Sequence, residues 1–495
     1  MGHFHFGYLA HTMSILWNLN ACIYGFDPEN ARIINMTVIG IFLVSATIGA
    51  GFSWKLARYG KRKALIISAL ICLIGSFFLY IRSLPTMIIG EIIIGLGFGI
   101  TSAVAPLFTA EIAKRKYIEY CTVTTQFWLN IGFILPWLLE FLVPRLADLG
   151  DSLSLTANIY SKLIKSSSTS PDFCSNFEDV HIIWRELRIP NTVVPAIQLL
   201  ILFLIFKREN PTYVHHCMNN SIQKESIESA GNTYDSSINY EEDSRKSLEI
   251  AESLLSKDTW KNLWTLSERK KLIASCILRG FQQITGVNII LNYGLWFVYD
   301  QRFPRINLAF TLVLSSMIFL IPSVFILKRF GRKNLFMTAM IVSCLCCGIL
   351  FQMVEEVTVV NGRIPVFHSL PNLVSAVTIC IYFISFWLNF ASIPVLYCTE
   401  TLTDKGMALS TAFQLGLTLL LFSLPTLTIQ VIELIHGRPR LLLASSFFFF
   451  IFSGLSMLGF FCAALFIIET KGKSKQQISN DFKERVFSFQ SSELS

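Results

Sequence analysis

The sequence predicts an all-α membrane protein with about a dozen transmembrane helices. Of its 495 residues, 53% are hydrophobic and only 15% are charged, whereas a typical soluble protein carries roughly 25% charged residues. A single soluble core rarely grows past about 250–300 residues. So much apolar sequence, with a mean hydropathy of +0.54, therefore needs lipid around it.

Apolar stretches of a length suited to membrane helices fall into two sets of six. A helix needs about 20 apolar residues to cross the hydrocarbon core, and its backbone must be satisfied within the segment. The first set is Gly7–Phe26, Val38–Leu56, Leu65–Ile81, Met87–Ala110, Cys121–Val143 and Ile189–Phe206. The second set is Leu272–Val298, Leu308–Leu327, Leu335–Met353, Leu373–Tyr397, Ala408–Leu427 and Leu441–Ile468.

Polar segments between these stretches divide the chain. We expect an N-terminal six-helix bundle over residues 1–206, whose first helix is a candidate for truncation, and a C-terminal six-helix bundle over residues 271–468. The segment 207–270 between them is rich in Ser, Glu, Asn and Lys, which is typical of a linker without a packed core. Residues 469–495 form the predicted tail.

The positions of the basic residues predict the orientation. Most of the 41 Lys and Arg lie in the linker, the tail and the loops on the same side, and positive charge marks the cytosolic side of membrane proteins. Both termini and the linker are therefore expected in the cytosol. The net charge of +8 reflects this bias and not a nucleic-acid partner. We expect the plasma membrane, with a vacuolar or other organelle membrane as the alternative, and the oligomeric state stays open.

Two motifs occur once in each half. A basic turn follows the second and eighth stretches, and a helix proline followed by Glu ends the fourth and tenth. The copies are Arg58-Tyr59-Gly60-Lys61-Arg62-Lys63 with Arg329-Phe330-Gly331-Arg332-Lys333, and Pro106 to Glu111 with Pro394 to Glu400. We expect each Glu to pair with the basic turns when the cytosolic side closes. The predicted gate residues are Arg58, Arg62, Glu111, Arg329, Arg332 and Glu400, with Pro394 as a flexible point.

Further motifs resemble the sugar porter family of the major facilitator superfamily, which contains facilitative glucose transporters and fungal hexose transporters. They are Gln282-Gln283-Ile284-Thr285-Gly286-Val287-Asn288, Glu209-Asn210-Pro211, Glu469-Thr470-Lys471-Gly472 and Trp184-Arg185. The resemblance implies the major facilitator fold and transport of a sugar, a hexose, by alternating access. It implies no enzyme activity, no cofactor and no metal, and the expected partners are a small-molecule sugar and the lipid bilayer.

The predicted sugar site depends on neutral amides. Such groups both donate and accept hydrogen bonds, which suits sugar hydroxyls without the cost of an ion in the membrane. At 100° per residue, Gln282, Gln283 and Asn288 share a broad polar face of the seventh helix. From the resemblance come further positions, some of which depart from the family's usual residue. The predicted substrate-binding residues are Gln126, Gln282, Gln283, Asn288, Asn292, Ser316 and Trp387, with Tyr293 as an outer lid.

Several charged positions depart from the family pattern. Glu91 stands where the family usually has Arg, and we expect it to pair with Lys55, Arg58 or Lys114. Arg279 lies one turn before Gln282, and the sequence leaves open whether it reaches the cytosolic end or lines the inner vestibule.

Two other functions remain open at this stage. A non-transporting sugar sensor on the same scaffold is the first alternative. A proton-coupled sugar symporter is the second, and the alignment of the first helix decides it. Proton-coupled members of the family that the chain resembles carry an Asp directly after an F-G-Y triplet in the first helix. Here Leu9 follows Phe6-Gly7-Tyr8, so the resemblance implies a uniporter, whereas an alignment through Gly25 and Phe26 supplies an acid, Asp27.

Overall fold

The computed structural model of the protein describes residues 2–15, 28–81, 83–113, 117–147, 188–205, 263–287, 305–359, 369–436 and 441–490. Within these ranges the chain forms helices and short turns and has no β-strand. The all-α prediction is therefore confirmed.

The helices follow the predicted order closely. In the first half they are α1 (Phe4–Ile15), α2 (Pro28–Ala57), α3 (Lys61–Phe78), α4 (Leu84–Ile112), α5 (Ile118–Ala147) and α6 (Ile189–Leu204). In the second half they are α7 (Leu266–Ile284), α8 (Arg305–Arg329), α9 (Arg332–Val359), α10 (Ser369–Ser385), α11 (Ile393–Thr401), α12 (Asp404–His436) and α13 (Leu441–Phe466). A last helix, α14 (Lys475–Gln490), follows. Helices α10 and α11 are two parts of one predicted span.

Six spans among the described residues are long and apolar enough to cross a membrane. They lie in α2, α4, α9, α10 with α11, α12 and α13. Large apolar side chains on their outer faces are exposed, such as Phe447 and Phe450, each 61% exposed, and Leu465 on α13. A face of this kind is stable in lipid and unfavourable in water. The chain is a multi-pass membrane protein.

The seventh helix is shorter than predicted. The stretch Leu272–Val298 was expected to form one helix, but α7 ends at Ile284. Gly286 follows with φ of 90°, a left-handed conformation that glycine adopts without strain and that commonly ends a helix. The helix predicted to run unbroken from Gln283 to Asn288 is therefore interrupted at Gly286, and Asn288 itself lies outside the described residues.

Close packing of α2 and α4 depends on small residues. A Cβ atom added at Gly99 would lie 2.0 Å from the carbonyl oxygen of Ala46, and one at Gly95 would lie 2.6 Å from the carbonyl oxygen of Phe42. Neither backbone can retreat alone, so the two helices touch only because α4 has no side chain at these positions. Small residues serve helix contacts in membranes in this way.

Two interfaces join the halves. Helix α2 packs against α12, and α5 packs against α8. The first interface is apolar, with Phe42 and Leu43 of α2 in one buried cluster with Leu415 and Phe422 of α12. Between these interfaces, α4 and α5 face α7, α11 and α12 across the centre of the molecule.

The two basic turns lie at one end of the bundle, which we call the basic end. There α2 meets α3, α8 meets α9, and α4 and α11 stop. The predicted tail 469–495 contains α14, whose buried Ile478 and Phe482 pack in the core of the second half. The predicted linker 207–270 lies outside the described ranges up to residue 262, and the domain boundaries stay predictions.

Candidate functional site

A central cavity lies between the two halves. It has a volume of about 110 Å³ and is lined from α1, α4 and α5 on one side and from α7, the turn Phe386–Phe390, α11 and α12 on the other. Small-molecule pockets usually measure roughly 300–1,000 Å³, so the halves must move to admit a sugar ring. Its polar lining side chains are His3, Ser102, Gln126, Arg279, Gln282, Gln283, Thr411, Gln414 and Thr418.

The amides of α7 form the centre of this lining. Gln282 is buried and its Nε2 donates to the carbonyl oxygen of Phe390 at 2.9 Å. Nε2 of Gln414 on α12 donates to Oε1 of Gln282 at 3.2 Å. Gln283 is 9% exposed and also lines the cavity. Hydrogen bonds between α7, the tenth span and α12 therefore orient the amides before any solute arrives.

The tenth span is irregular where it meets the cavity. Residues Phe386–Phe390 form a π-helical turn, a feature frequent at functional sites. Pro394 lies in the first turn of α11, where its missing N–H leaves no helical bond unmade. The turn directs Trp387 to the cavity, and its Nε1 is buried without a hydrogen-bond partner among the described residues. A solute could accept this hydrogen bond.

The structure brings together some predicted substrate-binding residues. Gln126, Gln282, Gln283 and Trp387 line the one cavity. Ser316 lies within α8, and its side chain is outside the described set. Asn288, Asn292 and Tyr293 lie outside the described residues, so their predicted roles remain predictions.

Sequence reasoning missed Gln414 as part of the site. It was not among the predicted substrate-binding residues, yet its amide lies in the cavity. A signal was present, because Thr411, Gln414 and Thr418 recur at helical spacing on the otherwise apolar segment 411–422 of α12, and all three line the cavity. Arg279 also lines the cavity, which resolves the alternative left open by its position in the sequence.

At the basic end, two cations form ion pairs in a repeated pattern. Lys61 pairs with Glu111 of its own half and, at 2.8 Å, with Asp404 of the other half. Arg332 pairs with Glu400 of its own half at 3.0 Å and with Glu119 of the other half at 2.9 Å. We call these four pairs the ion-pair network.

The network follows the internal repeat. Each cation comes directly after the glycine of its basic turn, Gly60 or Gly331. Each distant acid lies in the first turn of a helix, Glu119 in α5 and Asp404 in α12. The network therefore joins the two halves twice at the basic end.

The other predicted basic gate residues contact a carbonyl group or an aromatic ring. Arg62 donates to the carbonyl oxygen of Leu202 at 3.1 Å. Arg58 lies 6.0 Å from the ring of Trp54, and Arg329 lies 5.9 Å from the ring of Phe330. Lys61, which was not singled out in the first turn, takes the position that Arg332 takes in the second. The gating roles of all these residues remain predictions.

The electrostatics of Lys61 fit a permanent ion pair. Burial by itself lowers the pKa of its ammonium group, but the carboxylates of Asp404 and Glu111 outweigh burial and raise the pKa above its ordinary value. The cation therefore stays charged at every physiological pH.

Glu91 pairs with a residue that was not among its predicted partners. Its carboxylate lies 3.6 Å from Nη1 of Arg188, just before α6, and both side chains are buried. Glu91 lies near the start of α4, about 30 Å along the helix from Glu111 at the basic end. Lys55 and Arg58, at the end of α2, belong to that far end, and Lys114 lies outside the described residues.

The fold and the site together define a class of protein. A polar cavity between two pseudo-symmetric halves, which paired charges join at one end, is the architecture of a membrane transporter. The model of the family described as sugar (and other) transporter matches residues 1–152 and 172–482. The chain belongs to this family.

Individual relatives agree with this assignment. Hexose transporter 1 of Plasmodium falciparum is 22% identical over 497 residues, covering 95% of this chain and 88% of the relative. Facilitated glucose transporter protein 1 of Caenorhabditis elegans is 26% identical over 483 residues, covering 92% and 82%. The proton:xylose symporter XylE of E. coli, solved with 6-bromo-6-deoxy-D-glucose, superposes with a TM-score of 0.69 at 16% identity over 97% of each chain. The major facilitator fold is therefore confirmed.

Proposed function

We propose that this protein carries a hexose across the plasma membrane by facilitative alternating access. The observation that carries the proposal is the central cavity, where amides of both halves converge and from which the ion-pair network closes the basic end. The relatives named as hexose and glucose transporters support this choice of solute.

The lining chemistry suits a sugar. Gln126 of α5 and Gln283 of α7 approach the cavity from opposite halves, and each amide can both donate to and accept from hydroxyl groups. The indole of Trp387 offers a flat apolar surface and a free donor. Asn288, Asn292 and Ser316 complete the proposed site, and Tyr293 is its proposed lid.

The proposed cycle depends on the two halves rocking about this cavity. We place the basic end in the cytosol, with both termini, because positive charge marks that side. The closed ion-pair network then represents a state shut towards the cytosol. Separation of the halves at this end breaks Lys61–Asp404 and Arg332–Glu119 and opens a cytosolic path.

Uptake by purified protein in liposomes tests the proposal. Labelled hexose should equilibrate without a proton gradient. Gln283→Ala should raise the Kd for hexose by roughly tenfold, the effect of losing a hydrogen bond or two at about 1 kcal/mol each. The matched control is Gln476→Ala, since Gln476 is exposed on α14.

Other outcomes of the uptake experiment would indicate a different function. Uptake that requires an inward proton gradient identifies a symporter. Hexose binding without uptake identifies a sensor. Absence of both binding and uptake by folded protein refutes the proposal.

A further inference from the structure

One cation lies inside the central cavity. Arg279 of α7 is only 2% exposed and lines the cavity one helical turn from Gln282 and Gln283. Its burial leaves the guanidinium little contact with water that could solvate the charge. Guanidinium groups stay protonated in proteins, so a full positive charge borders the proposed sugar site.

Neutral and weakly polar groups surround this charge. Nη1 donates to Oε1 of Gln414 at 2.7 Å and to Oγ1 of Thr411 at 3.0 Å. Nε donates to Sγ of Cys398 at 3.0 Å and Nη2 to Sδ of Met407 at 3.3 Å. Sulfur is a weak acceptor. Two of the four hydrogen bonds therefore stabilise the guanidinium poorly.

The cavity supplies no opposite charge within the described part of the chain. None of its described lining residues is Asp or Glu, and no described carboxylate lies in ion-pair distance of Arg279. An unpaired Arg near the centre of a membrane is costly, and such residues are usually paired or mark a solute pathway. An anion in the cavity would satisfy this charge.

We propose that the cavity accepts a sugar bearing a carboxylate, such as a hexuronate, and that Arg279 binds the carboxylate. The inference rests on the proposed function and narrows its solute class. The fork of N–H groups on Arg matches the two oxygens of a carboxylate. A carboxylate at Nη1 and Nη2 replaces the Met407 contact and releases Oε1 of Gln414, which then accepts from a sugar hydroxyl.

A purely structural role makes a different prediction. Arg279 of α7 contacts both α11 and α12, so it could simply hold three helices together. In that case its loss weakens the binding of neutral and acidic sugars alike. The change in preference between acidic and neutral sugars therefore distinguishes carboxylate binding by Arg279 from a purely structural role.

The test is competition binding to the full-length protein in detergent. Unlabelled glucuronate should displace labelled glucose more effectively than unlabelled glucose does. Arg279→Gln should raise the Kd for glucuronate by roughly 10- to 100-fold, the effect of losing a hydrogen-bonded charge, and by clearly more than it raises the Kd for glucose. Arg279→Lys should keep part of the preference. The control is Arg269→Gln, the same substitution at an exposed position of α7.

The outcomes distinguish the two proposals. Glucose binding that glucuronate does not compete with overturns the anion site and leaves the proposed function intact. Equal losses for both sugars in Arg279→Gln also overturn it. If the wild-type protein is folded and binds neither sugar, the proposed function itself fails. If Arg279→Gln does not fold, the wild-type competition and Arg279→Lys still decide the question.

Discussion

Breaking the contacts of the ion-pair network that cross between the halves should open the basic end. We consider the double variant Asp404→Asn and Glu119→Gln, which leaves both cations with the acid of their own half. The Lys61–Asp404 pair is worth about 0.5–1 kcal/mol, since 34% of the Asp404 side chain is exposed. The Arg332–Glu119 pair is more buried, and a hydrogen bond between charged groups contributes about 1.5–3 kcal/mol.

Together these contacts favour the closed basic end by about 2–4 kcal/mol. Since 1.4 kcal/mol is a factor of ten, the double variant should shift the equilibrium towards the open state by roughly 30- to 700-fold. Spin labels at Tyr59 and Phe330, exposed equivalents in the two basic turns, report the separation by pulsed electron resonance. The background protein should have its reactive cysteines replaced by serine.

The control is Asp481→Asn, which breaks a surface pair with Lys473 that does not cross between the halves. Its distance distribution should match that of the parent protein. An unchanged distribution in the folded double variant would refute the reasoning, since the network would then contribute nothing to closure.

Three further predictions concern pH and stability. The pKa of Lys61 is raised, so the contribution of this residue to closure should be complete below the ordinary Lys pKa of about 10.4 and should decline only above it. The same spin labels can follow closure as the pH is changed. A loss of closure between neutral pH and pH 9 would contradict this prediction. Arg188→Met should lower the free energy of unfolding by about 3–5 kcal/mol, because it leaves the Glu91 carboxylate buried and unpaired. Thermal unfolding in detergent measures this, and a second change, Glu91→Leu, should restore most of the loss. Gly99→Ala should lower the melting temperature, because a Cβ atom at this position meets the backbone of α2. Gly454→Ala is the control and should leave the melting temperature unchanged, because there is open space around Gly454. Equal melting temperatures of the two variants would disprove the close-contact argument.

Much of the fold could be predicted because it follows from local chemistry. The length of an apolar stretch determines whether it can form a membrane helix and where that helix ends. The ends of α4 and α13 therefore fall within a few residues of those expected. Composition also located Gln282 and Gln283, because amides are conspicuous in apolar sequence. The break at Gly286 was harder to predict, since a glycine inside a membrane helix is compatible with a continuous helix until its φ is known.

Pairings between distant segments could not be predicted in the same way. Glu91 was assigned partners from the family's gate, although its position near the start of α4 places it far from the basic end. Lys61 was overlooked because several adjacent cations satisfy the positive-inside pattern equally well. Only the tertiary structure selects which of them faces Glu111 and Asp404.

The repeated arrangement of Lys61 and Arg332 has a kinetic consequence. Each cation has one acid that travels with it and one that belongs to the opposite bundle. When the bundles part as rigid units, neither cation is stripped of every counter-ion while still shielded from solvent. The barrier to opening therefore does not include the cost of isolating a buried charge. The network can stabilise the closed state without slowing the opening step.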